Sequence, residues 1–558
     1  MDNSKDVISR IVMEAVLKTA SKHNAALPDG FSVLLERPKR EGQGDWAANA
    51  AMKLSGLFGM KPMELAAEII GFMENDGAIG GVQAAPPGFI NFTLTEGWIQ
   101  ETLKTVIELG YAYGSSDLGK GRRVQVEFVS ANPTGPLHLG HGRNGAVGDV
   151  MASILEFSGW KVEREYYIND AGNQMTNLGK STQSRYFALL GRGDAAPFPE
   201  DGYPGDYIDV IAQGIADELG DSLLSKPLEE TLGFFTARTS GRVLEMIKRD
   251  LDDFGVKFDV WFSEKSLYSD DLTERTIAIL KKRGYAYDLD GAVWFKSSAF
   301  GDDKDRVMIR SNGDPTYFTS DTAYLLDKYE RGFDSLIYVW GADHHGYVPR
   351  IRSVNEALGK EDESLRFLLI QFVSLLRGGE PVAMSKRAGT FVTLREVMDE
   401  VGRDAARFSF VNRKCDTHLE FDLEVAKETS SDNPVYYVQY AHARICSIIR
   451  EAAARGFSVP SCSSVDMNLL REPCEIKLVR EISRFPEETA KAASSLEPHR
   501  IAFYAASLAE AFHSFYNTLK VLGESPEVTN ARLLLSEAAR VTIANALRLV
   551  GVSAPEKM

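Results

Sequence analysis

The sequence predicts a multidomain α/β protein: a parallel-sheet core carrying an insertion, a small α+β N-terminal domain and an all-α helical-bundle C-terminal domain. Three observations predict it. The β-rich run Val124–Val129, the helical pattern Leu139–Phe157 and the strand-like Trp160–Ile168 make a βαβ unit, which implies a parallel sheet. Residues 1–112 run through helical patterns into one clear strand signal. From about Arg395 onward the chain is helical almost throughout.

The elements follow in order. The first helix is read from Ile8, Ile11, Val12, Ala15 and Val16, a second from Asp45 through Met52 and a third from Met63 to Met73. The turn Pro86-Pro87-Gly88 leads into a strand, Phe89–Leu94. Gly114–Asp117 and Gly119–Gly121 read as a linker. After the βαβ unit a long polar helical stretch, about 176–256, interrupts the alternation as an insertion. Strand signals resume at Ala292–Phe295, Val307–Ile309 and Leu336–Trp340. The resulting boundaries are an N-terminal domain at 1–112, a core at 113–395, a connecting helical segment at 396–430, and a helical domain at 431–558 built from three or four long amphipathic helices.

Composition excludes several classes. The 558 residues are 44% hydrophobic and 25% charged, which is globular rather than fibrous or disordered. No run of about 18 apolar residues marks a membrane span, and the N-terminus mixes charge into its helix without the apolar stretch of a secretory signal. The four cysteines, at 415, 446, 462 and 474, form no CxxC pair. That argues against a disulfide framework or a cysteine zinc site and for a cytoplasmic home. The net charge of −16 argues mildly against a nucleic-acid partner, but it is unevenly spread: residues 431–558 carry 14 Lys and Arg against 14 Asp and Glu.

Two motifs carry chemistry. The first is His138-Leu139-Gly140-His141 within Ser130-Ala131-Asn132-Pro133-Thr134-Gly135-Pro136-Leu137-His138-Leu139-Gly140-His141-Gly142. It follows a strand and opens a helix, where free N–H groups and the helix dipole attract phosphate. Two imidazoles three residues apart can both donate to one triphosphate, and Gly140 permits close approach of a nucleotide ring. Capping or core histidines are the bland alternative. The second motif is Ala383-Met384-Ser385-Lys386-Arg387, after the Gly-rich Arg377-Gly378-Gly379-Glu380-Pro381. Its lysine can close over a phosphate chain as a flexible point charge; the alternative is an exposed loop lysine.

Together these motifs resemble the HIGH and KMSK motifs of the class I aminoacyl-tRNA synthetases, in that order. The neighbourhood Val126–Arg143, the stretch Tyr167-Ile168-Asn169-Asp170-Ala171-Gly172-Asn173-Gln174-Met175, and Gly341-Ala342-Asp343-His344-His345-Gly346-Tyr347 are similar to arginyl-tRNA synthetases. Val435–Arg444 resembles that family's anticodon-binding domain and Arg403-Asp404-Ala405-Ala406-Arg407 its DALR-type element, with Ala406 in place of the usual leucine. The likeness covers essentially the whole chain. It implies a Rossmann-type catalytic core of the bacterial type, an N-terminal domain that contacts tRNA, and ligation of L-arginine to tRNA(Arg) through an arginyl-adenylate.

The resemblance also implies the site. His138, His141 and Lys386 would be catalytic. ATP, with Mg²⁺, would be held by His138, Gly140, His141, Asp343, Met384, Ser385 and Lys386. Arginine would be held by Glu127, Asn132, His141, Tyr317, Asp321 and His344. Physical chemistry agrees with this set, because a planar guanidinium with five donors calls for carboxylates and an aromatic or polar wall. The alternative for Asp321 is a helix N-cap ahead of Thr322–Leu326. The family commonly places a glutamine beside the pocket; the stretch here is Asp343-His344-His345, so either His344 takes over that contact or it serves the nucleotide. Metal binding by the adjacent histidines has no evident third ligand, and no protein-bound structural metal is expected.

Some family members carry a lysine shortly before the histidine motif instead of the one in the later loop. Here Gly135 stands three residues before His138 and Lys386 is present, so a lysine at 135 is expected to rescue loss of Lys386 in part, provided the backbone there tolerates a side chain. Tyr436, Tyr437 and Tyr440 could stack on unpaired bases or simply be core. The expected partners are tRNA(Arg), arginine and ATP, with no membrane and a monomeric chain. A core ending near Asp432 is expected to fold without the helical domain. The rivals are a nucleotidyl-transferring enzyme acting on a small acid without RNA, and a non-catalytic synthetase-like protein that binds tRNA.

Overall fold

The computed structural model describes residues 4–558 apart from 39–41, 75–76, 78, 171, 269–270, 383–391 and 524. Its elements begin with α1 (Ser4–Lys22), β1 (Leu35–Glu36), β2 (Trp46–Ala48), α2 (Ala50–Phe58), α3 (Pro62–Gly71), β3 (Ile79–Ala85), β4 (Phe89–Leu94) and α4 (Glu96–Leu109). The βαβ unit is β5 (Arg123–Glu127), α5 (Leu139–Phe157) and β6 (Lys161–Ile168), followed by α6 (Asn173–Leu189), α7 (Asp206–Leu219), α8 (Leu228–Asp253) and β7 (Val260–Ser263). Next come α9 (Leu272–Lys282), β8 (Ala286–Leu289), β9 (Ala292–Phe295), β10 (Arg306–Ile309), α10 (Tyr317–Glu330), β11 (Ser335–Gly341), α11 (Val348–Ala357), β12 (Leu365–Ile370), β13 (Val373–Arg377) and β14 (Glu380–Pro381). The chain ends with α12 (Leu394–Val401), α13 (Arg403–Val411), β15 (Leu419–Asp422), α14 (Leu423–Lys427), α15 (Pro434–Ala454), α16 (Pro473–Ser483), α17 (Phe485–Ser495), α18 (His499–Thr518) and α19 (Pro526–Leu549).

Two compact units emerge. One comprises Met1–Gly110, Ile448–Ser483 and Ser514–Val541; the other comprises Tyr111–Ser447, Arg484–His513 and Thr542–Met558. In the first, an antiparallel sheet in the order β1-β2-β4-β3 packs with α1, α2 and α3 around Ile8, Val12, Trp46, Leu54, Leu65, Ile90 and Phe92. The helix read from Asp45 begins only at Ala50. Trp46, Ala47 and Ala48 pair instead with Phe92, Asn91 and Ile90 of β4, and the Asp45 carboxylate accepts from the Leu94 amide at 2.9 Å. Cross-strand pairing and burial of Trp46 outweigh the local helical preference of an alanine run.

The second unit is built on a five-stranded parallel sheet in the order β12-β11-β5-β6-β7. From the central β5 the chain steps outward through β6 to β7, then returns to the other side of β5 for β11 and β12. The switch point therefore lies between β5 and β11, and ligands of such sheets bind outside the carboxyl ends of the strands there. Strand β5 is buried from Val124 to Glu127, as a central parallel strand must be. Helix α5 lies almost wholly inside the unit, and its small residues permit that. A Cβ on Gly148 would stand 2.3 Å from the Phe128 ring, and one on Gly142 would stand 2.7 Å from Leu394. Strands β7 and β13 show no regular alternation of burial, and β15 alternates over only four residues, so periodicity alone does not reveal them.

A buried guanidinium ties this unit together. Arg407, on α13 in the DALR-type element, has no exposed side-chain surface. It pairs with Asp149 of α5 at 2.5 Å and donates to the Phe254 carbonyl at 3.0 Å and the Val550 carbonyl at 3.4 Å. Asp404, one turn earlier, accepts from the Ser553 amide and from Gln439, both at 3.0 Å. Thr489 and Asn545 donate to the carbonyls of Gly114 and Tyr113. Residues 484–513 and 542–558 thus belong to the same compact unit as the parallel sheet, so Asp432 does not mark a boundary between units. The 431–558 segment contains three long helices and, in α16 and α17, two of eleven residues each. Replacing Asp149 by alanine should destabilise this unit by about 3–5 kcal/mol, because it strands a buried cation; the midpoint of urea unfolding measures it.

Candidate active site

The chain leaves β5 through a strained turn. Val129 and Ser130 adopt φ of 64° and 40°, a region that a β-branched residue avoids. Asn144 of α5 holds the turn: its carbonyl accepts from the Val129 amide at 2.7 Å and its amide donates to the Val339 carbonyl of β11 at 2.9 Å. One side chain thereby joins the two strands at the switch point. The loop then reaches His138, which is the N-cap of α5. His138 Nδ1 accepts from the Gly140 amide at 3.1 Å, and His141 Nδ1 accepts from the His138 amide at 3.4 Å. The two rings stack with centroids 3.7 Å apart and planes 17° from parallel. With both Nδ1 atoms accepting, the proton of each neutral ring sits on Nε2, so both rings present N–H donors at a helix N-terminus. Capping through Nδ1 therefore does not compete with use of the Nε2 atoms as donors.

Gly140 has a further reason to be glycine: a Cβ there would stand 3.0 Å from the His138 ring. Gly135 is not among the glycines with positive φ. The obstacle to a side chain at 135 is Tyr207, whose hydroxyl would lie 3.1 Å from a Cβ. Tyr207, from the insertion, donates to the Thr134 carbonyl at 2.5 Å. A side chain at 135 requires Tyr207 to give by a few tenths of an ångström, while the backbone there sets no positive-φ obstacle.

Glu127, at the end of β5, is buried and already paired. Its carboxylate meets Lys328 Nζ at 2.5 Å and accepts from the Ser130 hydroxyl at 3.2 Å. Asp321 differs. It lies five residues inside α10, whose N-cap is Thr316, so it caps nothing. It accepts from the Tyr347 hydroxyl at 2.5 Å, and no Lys or Arg pairs with it among the described residues. Burial, with the charges of Glu127 and Glu264, pushes its carboxyl up to about 7, against the pull of Tyr347 and Lys328. Tyr317, one turn earlier on the same helix face, is 68% exposed and places its hydroxyl beside Gly172. Asn132 donates to Gln174 at 2.6 Å. Asp343 and His344, beyond the carboxyl end of β11, are 62% and 63% exposed at the side chain and lie 3.8 Å apart. Met384, Ser385 and Lys386 lie outside the described residues. The segment that follows them is placed, however: Thr393 forms a β-bridge with His138, and the Leu394 amide donates to the Leu137 carbonyl at 2.7 Å. The foot of the second motif thus sits on the first.

Three residues escaped sequence reasoning. Tyr347 lies inside a motif that was singled out, but its partner is 26 positions away. Glu264, buried after β7, shows no local signal. Lys328 had one: Tyr317, Asp321, Tyr324 and Lys328 fall at helical spacing on one face of α10.

Comparison with known proteins decides the family. Family models match almost end to end: "Arginyl tRNA synthetase N terminal domain" at residues 6–94, "tRNA synthetases class I (R), catalytic domain" at 103–186 and 227–448, and "DALR anticodon binding domain" at 438–558. The arginine–tRNA ligase of Syntrophotalea carbinolica is 49% identical over 98% of both chains, and that of Bacillus subtilis is 46% identical over 100% of this chain and 99% of its own. The chain belongs to the arginyl-tRNA synthetase family. As a member of that family it shares the fold of the Thermus thermophilus arginyl-tRNA synthetase, with a TM-score of 0.77 at 21% identity over 99% of both chains. The catalytic family model leaves residues 187–226 unmatched, and these supply Tyr207. No helix among the described residues of this synthetase is long and apolar enough to cross a membrane.

Asp321 makes stability depend on pH. Its folded-state pKa of about 7 lies above the ordinary value near 4, so the stability it contributes is fully present below about pH 4 and lost as the pH rises through about 7. Asp321→Asn removes this dependence. The melting temperature of the wild type, relative to the variant, should fall between pH 5 and pH 8; a constant difference would show that Asp321 titrates normally.

Proposed function

We propose that this chain ligates L-arginine to tRNA(Arg) through an arginyl-adenylate, releasing AMP and pyrophosphate. The observation that carries the reading is Asp321, a half-buried carboxylate with a phenolic donor and no cation of its own among the described residues. A guanidinium supplies the missing charge and offers hydrogen bonds in a plane. The buried Glu264 adds negative potential on the same side, and Tyr317, Asn132 and His344 are assigned to the wall of the pocket.

In the first step a carboxylate oxygen of arginine attacks the α-phosphorus of ATP and pyrophosphate leaves. Negative charge grows on the phosphate oxygens as it does so. The Nε2 donors of His138 and His141 at the α5 N-terminus stabilise that charge, and the Lys386 ammonium supplies a further positive charge to the pyrophosphate. Asp343, at the carboxyl end of β11, is suited to accept from the ribose hydroxyls. ATP enters as its Mg²⁺ complex, with the ion carried by the phosphates. In the second step a hydroxyl of the terminal tRNA ribose attacks the arginyl carbonyl and AMP leaves. A monomeric enzyme acting in the cytoplasm, with the helices of 431–558 facing the anticodon arm, completes the reading.

A charging assay with each of the twenty amino acids and total tRNA tests it directly: arginine alone should be attached. Asp321→Asn should raise the KM for arginine by about 10–100-fold, the loss of one charge-assisted pair, and leave that for ATP nearly unchanged. Lys386→Ala should slow activation by about 10²–10³, read as arginine-dependent pyrophosphate exchange. Equal charging by the Asp321 variant would remove the carboxylate from the pocket.

A further inference from the structure

Beneath the pocket lies a second layer of buried charge that the ligation does not explain. Lys328 of α10 has no exposed side-chain surface. Its Nζ meets Glu127 at 2.5 Å and sits 4.1 Å from the Tyr324 ring centroid and 3.9 Å from that of Tyr338. Such a cage suits an ammonium, because two aromatic faces and a carboxylate replace its hydration. Glu165, which pairs in register with Glu127 across β5 and β6, has its own cation: Arg331 donates to both of its oxygens at 2.5 and 3.0 Å. Tyr324 also donates to Glu165.

The charges therefore resolve into pairs. Glu165 goes with Arg331 and Glu127 with Lys328. Among the described residues Asp321, near Glu127, Glu264 and Lys328, has the Tyr347 phenol as its hydrogen-bond partner and no paired cation.

We propose that Lys328 is a specificity-determining positioning residue: by neutralising Glu127 from below, it leaves Asp321 as the carboxylate that a cationic substrate side chain must complete. Without Lys328 the substrate would meet two adjacent unpaired carboxylates, which cannot both stay ionised when buried. The free pocket would then hold a proton that arginine has to expel, and the apparent affinity would fall by the fraction of protein in the competent state. This inference rests on the arginine reading of Asp321.

The measurement is the pH dependence of arginine binding to the full-length protein, by calorimetry, with the KM for ATP as the control. In the wild type the affinity should weaken as the pH falls through about 7. In Lys328→Met the midpoint should move up by about one pH unit, the effect of one nearby charge, which makes arginine about fivefold weaker at pH 7. Lys328→Arg should restore the wild-type midpoint. Glu127→Gln should move it down, because the carboxylate opposing ionisation of Asp321 is gone. The double variant Lys328→Met/Glu127→Gln should return close to the wild type.

A merely structural lysine would lower stability in all these variants without moving the midpoint in opposite directions. If Lys328→Met does not fold, Glu127→Gln decides alone. An unmoved or raised midpoint in Glu127→Gln, or an unmoved one in folded Lys328→Met, overturns the proposal while charging with arginine continues. Absence of arginine charging by the wild type would instead overturn the reading on which it rests.

Discussion

A half-buried carboxylate, Asp321, with no counter-cation among the described residues is the constraint around which the catalytic unit is organised. Burial and the neighbouring carboxylates raise the carboxyl of Asp321 to about 7, so an arriving cation would favour its ionised form. Two other carboxylates at the same level of the sheet, Glu127 and Glu165, are each given an internal cation. Among the described residues, Tyr347 donates a hydrogen bond to Asp321. Arranged this way, recognition depends on charge balance in a low-dielectric site, where an analogue without the guanidinium leaves buried groups unpaired.

The phosphate side uses a different device. Its donors are fixed by backbone geometry: the stacked imidazoles are held by amides of their own helix turn, and the turn is held by Asn144, which spans the switch point. Strain at Val129 and Ser130 persists because that hydrogen bond and the packing of α5 leave no alternative. The same helix is anchored toward its other end by the Asp149–Arg407 pair. Arg407 in turn binds the carbonyl of Val550, so the final residues of the chain contribute to the seat of the helix that carries the histidines. This gives the DALR-type element a structural role within the catalytic unit. The substitution of Ala406 for leucine leaves that contact untouched.

Much of this was legible in one dimension. The bounds of α5 and β4 coincide with the expected ones because each is delimited by strong punctuation: Pro136 and Ser158-Gly159 in one case, Pro86-Pro87-Gly88 and the dyad alternation in the other. Asp45–Met52 was misread because alanine-rich segments favour helix locally, whereas pairing with β4, more than forty residues away, decides the matter. Short strands such as β7 and β13 lack a period long enough to register. Contiguous motifs nominate candidate residues, whereas the pairing of Lys328 with Glu127, about two hundred positions apart, is not visible in the sequence.

The sequence by itself determined the βαβ core, the helical C-terminal region, the two motifs and the residue types of a nucleotide and guanidinium site. These are properties of local order: a helix N-terminus, a turn and a spacing are written in neighbouring residues. Only the tertiary structure decided which charges cancel. Glu127 and Asp321 look alike as carboxylates in a list of residues, and a lysine of α10 that packs against β5 and β11 makes one of them satisfied and leaves the other waiting. Electrostatic pairing acts through space at a few ångströms, and its partners here are separated by up to about two hundred residues of chain.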